Sequence, residues 1–175
     1  MPYYITVGNH DVLKNGLPAA NWSVAEVIKN YHMPWYDNIS LWYSVDPAPG
    51  VHLVSLDSAS DRAHLGDWGG AISPEQVQWL DQDLAGNAGK MVIVMTHHAL
   101  IHHAGVDDKL YYMDNADQVK HVLNKHGAHL AITGHIHITD IAKNGSLIER
   151  STPATCSYPC AYTLRLMTSI IELWH

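Results

Sequence analysis

Met91-Val92-Ile93-Val94-Met95-Thr96-His97-His98 is the stretch on which the fold turns. Its five apolar residues are too short for a core helix and the right length for a buried strand, and the run stops abruptly on two histidines. Upstream, Ser73-Pro74-Glu75-Gln76 carries an N-cap serine and a proline at the first helical position. Val77, Leu80 and Leu84 then fall on one helical face. Downstream, Ala116 to Lys125 reads as a second helix with Val119, Val122 and Leu123 inward and Gly127 as its left-handed terminator. Ala128 to Thr133 is the next strand. Strand and helix alternate, which predicts an α/β domain.

Working outward, Tyr3 to Val7 reads as a strand that ends in the turn Gly8-Asn9-His10-Asp11. Ser23 and Glu26 stand at capping-box spacing and start a short helix towards Asn30. Leu41 to Val45 and Val51 to Leu56 read as strands separated by the turn from Asp46 to Gly50. Lys143-Asn144-Gly145-Ser146 is a hairpin signal, and Ala161 to Trp174 reads as a last strand. No repeat or linker divides the chain, so residues 1–175 are expected to form a single domain.

Composition narrows the function. The 175 residues hold 10 Lys+Arg against 17 Asp+Glu, a formal charge of −7. That balance, with no basic cluster, predicts no nucleic-acid surface. No apolar run approaches the ~20 residues of a membrane span, and the opening Met1-Pro2-Tyr3-Tyr4 lacks a signal-peptide pattern. Cys156 and Cys160 are too few for a disulfide framework or a zinc site of their own and read as free thiols. Asn21, Asn38 and Asn144 match the glycosylation acceptor pattern but are better explained by caps and turns. The anomaly is histidine, with 14 residues, more than Lys and Arg together. At neutral pH these are uncharged nitrogen ligands.

Three histidine motifs each follow a predicted strand: Gly8-Asn9-His10-Asp11, Thr96-His97-His98 and Gly134-His135-Ile136-His137. Strand ends converging on one sheet edge are where α/β folds place ligands. In an extended chain His135 and His137 would point to one side. His97 and His98 would point to opposite sides, so one of the two is expected at the site. Imidazoles with the Asn9 oxygen make a mixed N/O donor set suited to hydrolytic metals. His102 and His103 read as a solvated loop, and His121, His126 and His129 as surface residues.

In order and context these motifs resemble the calcineurin-like metallophosphoesterases, from Gly8 through His137. That family carries Asp-x-His, Gly-Asp-x-x-Asp, Gly-Asn-His-Asp/Glu, a histidine after a strand, and Gly-His-x-His; the last three are present here in order. The resemblance implies a mixed β-sheet sandwich flanked by helices. It implies that Asn9, His97 and His135 ligate one metal of a dinuclear pair and His137 the other. It also implies that His10 contacts the phosphate and protonates the leaving oxygen. The implied cofactors are divalent ions (Mn, Fe or Zn), two in a full-length enzyme, and the implied substrate is a small phosphate mono- or diester. Ala99 replaces a proline that family members often carry there. The segment from Ser151 to Cys160 resembles the tail of bacterial cyclic-nucleotide phosphodiesterases, which suggests a 3′,5′-cyclic nucleotide. Asp-x-His occurs nowhere in the sequence, and its Gly66-Asp67 lacks the later acid of the second motif. The chain therefore looks like the C-terminal portion of a longer metallophosphoesterase, missing an N-terminal βαβ part. The alternative is an inactive, metal-binding remnant.

Overall fold

A computed structural model describes residues 3–12, 29, 40–60 and 67–155. Among these, β1 (Tyr43–Ala48), β2 (Val51–Ser55), β3 (Met91–Met95), β4 (Leu130–Thr133), β5 (Asp140–Asn144) and β6 (Leu147–Ser151) form one sheet in the order β1-β2-β3-β4-β6-β5. The central pairs β2–β3, β3–β4 and β4–β6 are parallel, and the outer pairs β1–β2 and β5–β6 are antiparallel. α2 (Pro74–Gly86) connects β2 to β3, and α3 (Ala116–Lys125) connects β3 to β4. This is the expected mixed sheet flanked by helices. The helix predicted from Ser23 and the strand predicted at Ala161–Trp174 lie outside the described residues, as do Cys156 and Cys160.

β3 sits third in the sheet, so it needs apolar residues on both faces. Val92 and Val94 face α2 and α3, where they join Val54, Ala131 and Leu147 in a core with Leu80, Leu84, Val119, Val122 and Leu123. Ile93 faces the other way, packing with Val51 and Leu53 and with the partly buried Tyr4, Val45 and Ile132. α2 starts and α3 stops as their sequences dictate. The Ser73 side chain accepts a hydrogen bond from the Gln76 amide, and Gly127 takes φ +69 just past α3.

Two expectations need correction. β1 begins and ends later than predicted, running through Pro47 to Ala48, with the turn shortened to Pro49-Gly50. Proline lacks the N–H of a ladder bond, but an edge strand tolerates it, particularly beside the register shift between Val45 and Ala48. Tyr3 to Val7 is not a strand. β2 is already paired on both sides, so this segment crosses the Tyr4-lined face, held by side-chain hydroxyls. The Ile5 carbonyl accepts bonds from the Tyr43 hydroxyl at 2.6 Å and the Ser55 hydroxyl at 3.1 Å. The Thr6 hydroxyl donates to the Leu56 carbonyl at 3.0 Å. The crossing brings Gly8 and Asn9 to the C-terminal edge of the parallel strands.

Candidate metal centre

Three chain segments meet at that edge. β3 runs out at Met95 and delivers His97; β4 runs out at Thr133 and delivers His135. The two exits are stitched together, since the Thr96 amide donates to the Ile132 carbonyl and the Gly134 amide to the His97 carbonyl, each at 3.1 Å. The third segment ends in a single helical turn, α1 (Asn9–Val12), whose entry is fixed by the Asp11 carboxylate accepting the Gly8 amide at 2.8 Å.

The side chains converge. His97 Nε2 lies 2.8 Å from Asn9 Oδ1, and Asn9 is buried. An amide oxygen only accepts, so this bond places the His97 proton on Nε2. The His97 and His135 rings lie 4.5 Å apart, and Trp68 and Tyr111 flank His135 at 5.4 and 5.5 Å. His135 Nε2 is buried and has no hydrogen-bond partner. An orphaned buried imidazole nitrogen is costly unless something binds it.

His98 adjoins the same cluster, and ligand atoms of His97, His98 and His135 all lie within 4.8 Å of one another. The expectation that only one of the two neighbouring histidines would reach the site is therefore corrected. Their hydrogen bonds still separate them. His98 Nε2 donates to the Trp68 carbonyl at 3.0 Å, and Nδ1 accepts the Ser58 hydroxyl at 2.8 Å. With both nitrogens engaged and the ring fully buried, His98 supports the cluster and is not free to ligate.

The route by which His135 and His137 approach the site also differs from expectation. Neither is extended: both take left-handed backbone, with φ 63 and 58. That conformation costs energy for a residue with a Cβ, and such strain concentrates at functional sites. His135 is buried and His137 exposed. His137 and His10 are near enough that their charges disfavour protonation of His97, but neither joins the buried cluster, and His10 is exposed on α1.

Burial, reinforced by the neighbouring imidazoles, holds the His97 pKa down at about 2, and burial with the His98 charge holds His135 at about 3. Both rings are neutral over the physiological range, the form that ligates. The usual histidine value is 6.5, so as pH falls below it the unfolded chain binds protons that the folded chain refuses. The metal-free protein accordingly loses stability as pH falls from about 7 towards about 3. Calorimetric melts across that window should show Tm falling, with a shallower slope in His135→Asn.

Gly8 is required by space. A Cβ there would lie 2.7 Å from His97 Cε1, closer than real side chains approach. Gly8→Ala should displace the His97 ring and lower stability by about 1–3 kcal/mol, read as a shifted imidazole NMR signal and a lower denaturation midpoint.

Several other described histidines have structural partners. His52 is buried between Asp46 and Asp83, at 2.8 Å from each. His126 pairs with Asp81 at 2.6 Å. His103, expected in a solvated loop, is instead fully buried between Asp140 and Glu149, whereas His102 is exposed as expected and stacks on Tyr112. Trp68, Tyr111 and Glu149 were not singled out from sequence, because no pattern marks a lone aromatic or acid as a neighbour of distant histidines.

Comparison with known proteins agrees with this geometry. The family model described as calcineurin-like phosphoesterase matches residues 1–139. No curated protein sequence matches the chain. Among solved structures, a dimetal phosphatase from Danio rerio (LOC 393393) is similar with a TM-score of 0.61 at 18% identity, over 76% of this chain and 57% of that one. The structure of PhoD is similar with a TM-score of 0.53 at 13% identity, over 84% of this chain and 37% of that one. At such identities the likeness is one of fold, and the chain spans less than two thirds of either structure. The family match covers most of the sequence, including all three histidine motifs. The chain belongs to the calcineurin-like phosphoesterase family.

Proposed function

We propose that this chain takes part in metal-dependent hydrolysis of phosphate esters. One observation carries the reading: Asn9 Oδ1, the neutral His97 ring and the orphaned His135 Nε2 are gathered at the C-terminal edge of the parallel strands. This donor set fits a divalent cation such as Zn, Mn or Fe. Both imidazoles are neutral, the His97 proton need only move from Nε2 to Nδ1 for Nε2 to ligate, and His135 Nε2 has no hydrogen-bond partner. Asn9, His97 and His135 would hold one ion, and His137, on the adjoining turn, would contribute to a second. Such ions supply Lewis acidity towards phosphoryl oxygens and lower the pKa of water.

The residues of the chain do the rest. Asn9 and His97 arise from segments 88 positions apart, so their preorganisation is provided by the fold before substrate arrives. The Trp68 and Tyr111 rings pack around His135 and shield it from bulk water. His10, exposed on α1 beside Asn9, contacts a phosphate oxygen and transfers an imidazole proton to the departing alkoxide, a role worth about 10²–10⁴-fold. The substrate is a small phosphate mono- or diester. The resemblance of residues 151–160 to cyclic-nucleotide phosphodiesterases favours a 3′,5′-cyclic nucleotide.

The test is hydrolysis of bis(p-nitrophenyl) phosphate and of 3′,5′-cyclic AMP by protein loaded with Mn(II) or Zn(II). Turnover is expected to vanish on chelation. His10→Ala should lower kcat by about 10²–10⁴-fold and leave metal content unchanged. Full metal loading without turnover would support the alternative reading of an inactive metal-binding remnant.

A further inference from the structure

Glu149 lies on β6, is fully buried and has no place in the chemistry described above. Its carboxylate reaches across the sheet edge to the loop that follows β3. Oε2 accepts the Leu100 amide at 2.7 Å and the Ile101 amide at 3.2 Å. Oε1 lies 2.8 Å from His103 Nε2, and His103 Nδ1 lies 2.8 Å from Asp140 Oδ2 on β5. The far end of the loop is thus tied as well as its middle. Leu100 and Ile101 are buried hydrophobic residues, and their amides have no strand or helix to pair with.

A buried acid is an expensive way to satisfy two amides, since burial penalises its charged form. Burial indeed holds Glu149 above the usual carboxylate range, against the opposing pull of His103 and the two amides. What the acid does that an apolar residue could not is fix the loop in one place. The loop begins at His97, and from there to Leu100 is three residues, too short to relax independently of its anchor.

We propose that Glu149 is a positioning residue for the metal centre, a buried carboxylate that clamps the 97–103 loop and so sets the His97 ring against Asn9. The proposal rests on the reading of Asn9, His97 and His135 as a cation pocket. The loop is held from β6 and β5, the strands at one edge of the sheet. Asn9 is delivered from the other side, over β1 and β2. His97 stands where the two supports meet.

The experiment is zinc titration of the metal-free full chain by calorimetry, with Tm measured on the same samples. Glu149→Ala and Glu149→Asp should weaken zinc binding about 10–100-fold, the usual cost of losing an outer-sphere support. The aspartate keeps the charge but is one methylene too short to reach the amides. Glu149→Gln should stay within about threefold of the parent, because its oxygen still accepts both amides and its NH₂ can donate to His103 protonated at Nδ1. Leu123→Ala, a fully buried core truncation, is the control: it should lower Tm with the zinc Kd of the folded protein unchanged, as should any purely structural loss. If Glu149→Ala does not fold, the aspartate–glutamine contrast decides. Aspartate binding zinc like the parent, or glutamine failing as badly as aspartate, would overturn the clamp. His97→Ala separates the two claims. If it binds zinc like the parent, the cation pocket itself is wrong. If it loses zinc while folded Glu149→Asp does not, only the clamp is wrong.

Discussion

His135→Ala is expected to abolish measurable zinc uptake by the metal-free protein under conditions where the parent chain takes it up. The expectation follows from what the ring has and lacks. Its Nε2 is buried without a partner, its pKa is held at about 3, and it sits 4.5 Å from His97. Outer-sphere partners alone are typically worth about 10–100-fold in metal affinity, so a ligand should be worth more than about 100-fold. Removing the ring also removes a buried unsatisfied nitrogen, so the metal-free variant should be no less stable than cavity formation alone requires. Isothermal titration with Zn(II), paired with a melt, reads both. Zinc affinity within threefold of the parent would remove His135 from the ligand set. His98→Ala, by contrast, should lower stability first and affinity only through displacement of its neighbours.

The second large effect is expected at Gly70. A Cβ there would lie 2.2 Å from His98 Cγ and 2.3 Å from Nδ1. Neither side can yield cheaply. The His98 ring is bonded at both nitrogens, to Ser58 and to the Trp68 carbonyl. The Gly70 carbonyl accepts the Asp114 amide at 2.7 Å, and Gly70 forms a parallel bridge with Met113. Gly70→Ala should therefore cost about 3 kcal/mol, the upper part of the usual range for overpacking. Denaturant titration checks it, against Gly86→Ala as a control: Gly86 lies at the end of α2, and an added Cβ there meets nothing within 4 Å, so that substitution should be neutral or stabilising.

The parallel core was legible in the sequence because its signals are local. A five-residue apolar run, a serine–proline helix start and a glycine terminator fix β3, α2 and α3 to within a residue or two. Tyr3–Val7 misled for a reason that no local pattern carries. Its aromatic and β-branched residues are strand-like, but the partner it would need, β2, is already flanked by β1 and β3, and that is a fact of topology. Pro47 misled in the opposite sense, since its cost depends on whether the strand is an edge.

The site was legible to the extent that motif order is. Asn9, His97 and His135 are brought together by three segments whose histidines and glycines stand in the sequence for inspection. His98 and His103 were misjudged because a histidine's surroundings decide its role. Ser58, Trp68, Glu149 and Asp140 approach these rings from 30 to 46 positions away. The left-handed backbone at His135 and His137 was likewise invisible, because the sequence there reads as a simple continuation of β4.

The most direct test of the cation pocket is an anomalous difference map from crystals of the protein grown with Mn(II) or Zn(II). The account predicts a peak bonded to the imidazoles of His97 and His135 and to Asn9 Oδ1, at about 2.0–2.2 Å for zinc. A metal peak elsewhere with these three side chains unchanged, or bound through His98 in place of His97, would contradict it.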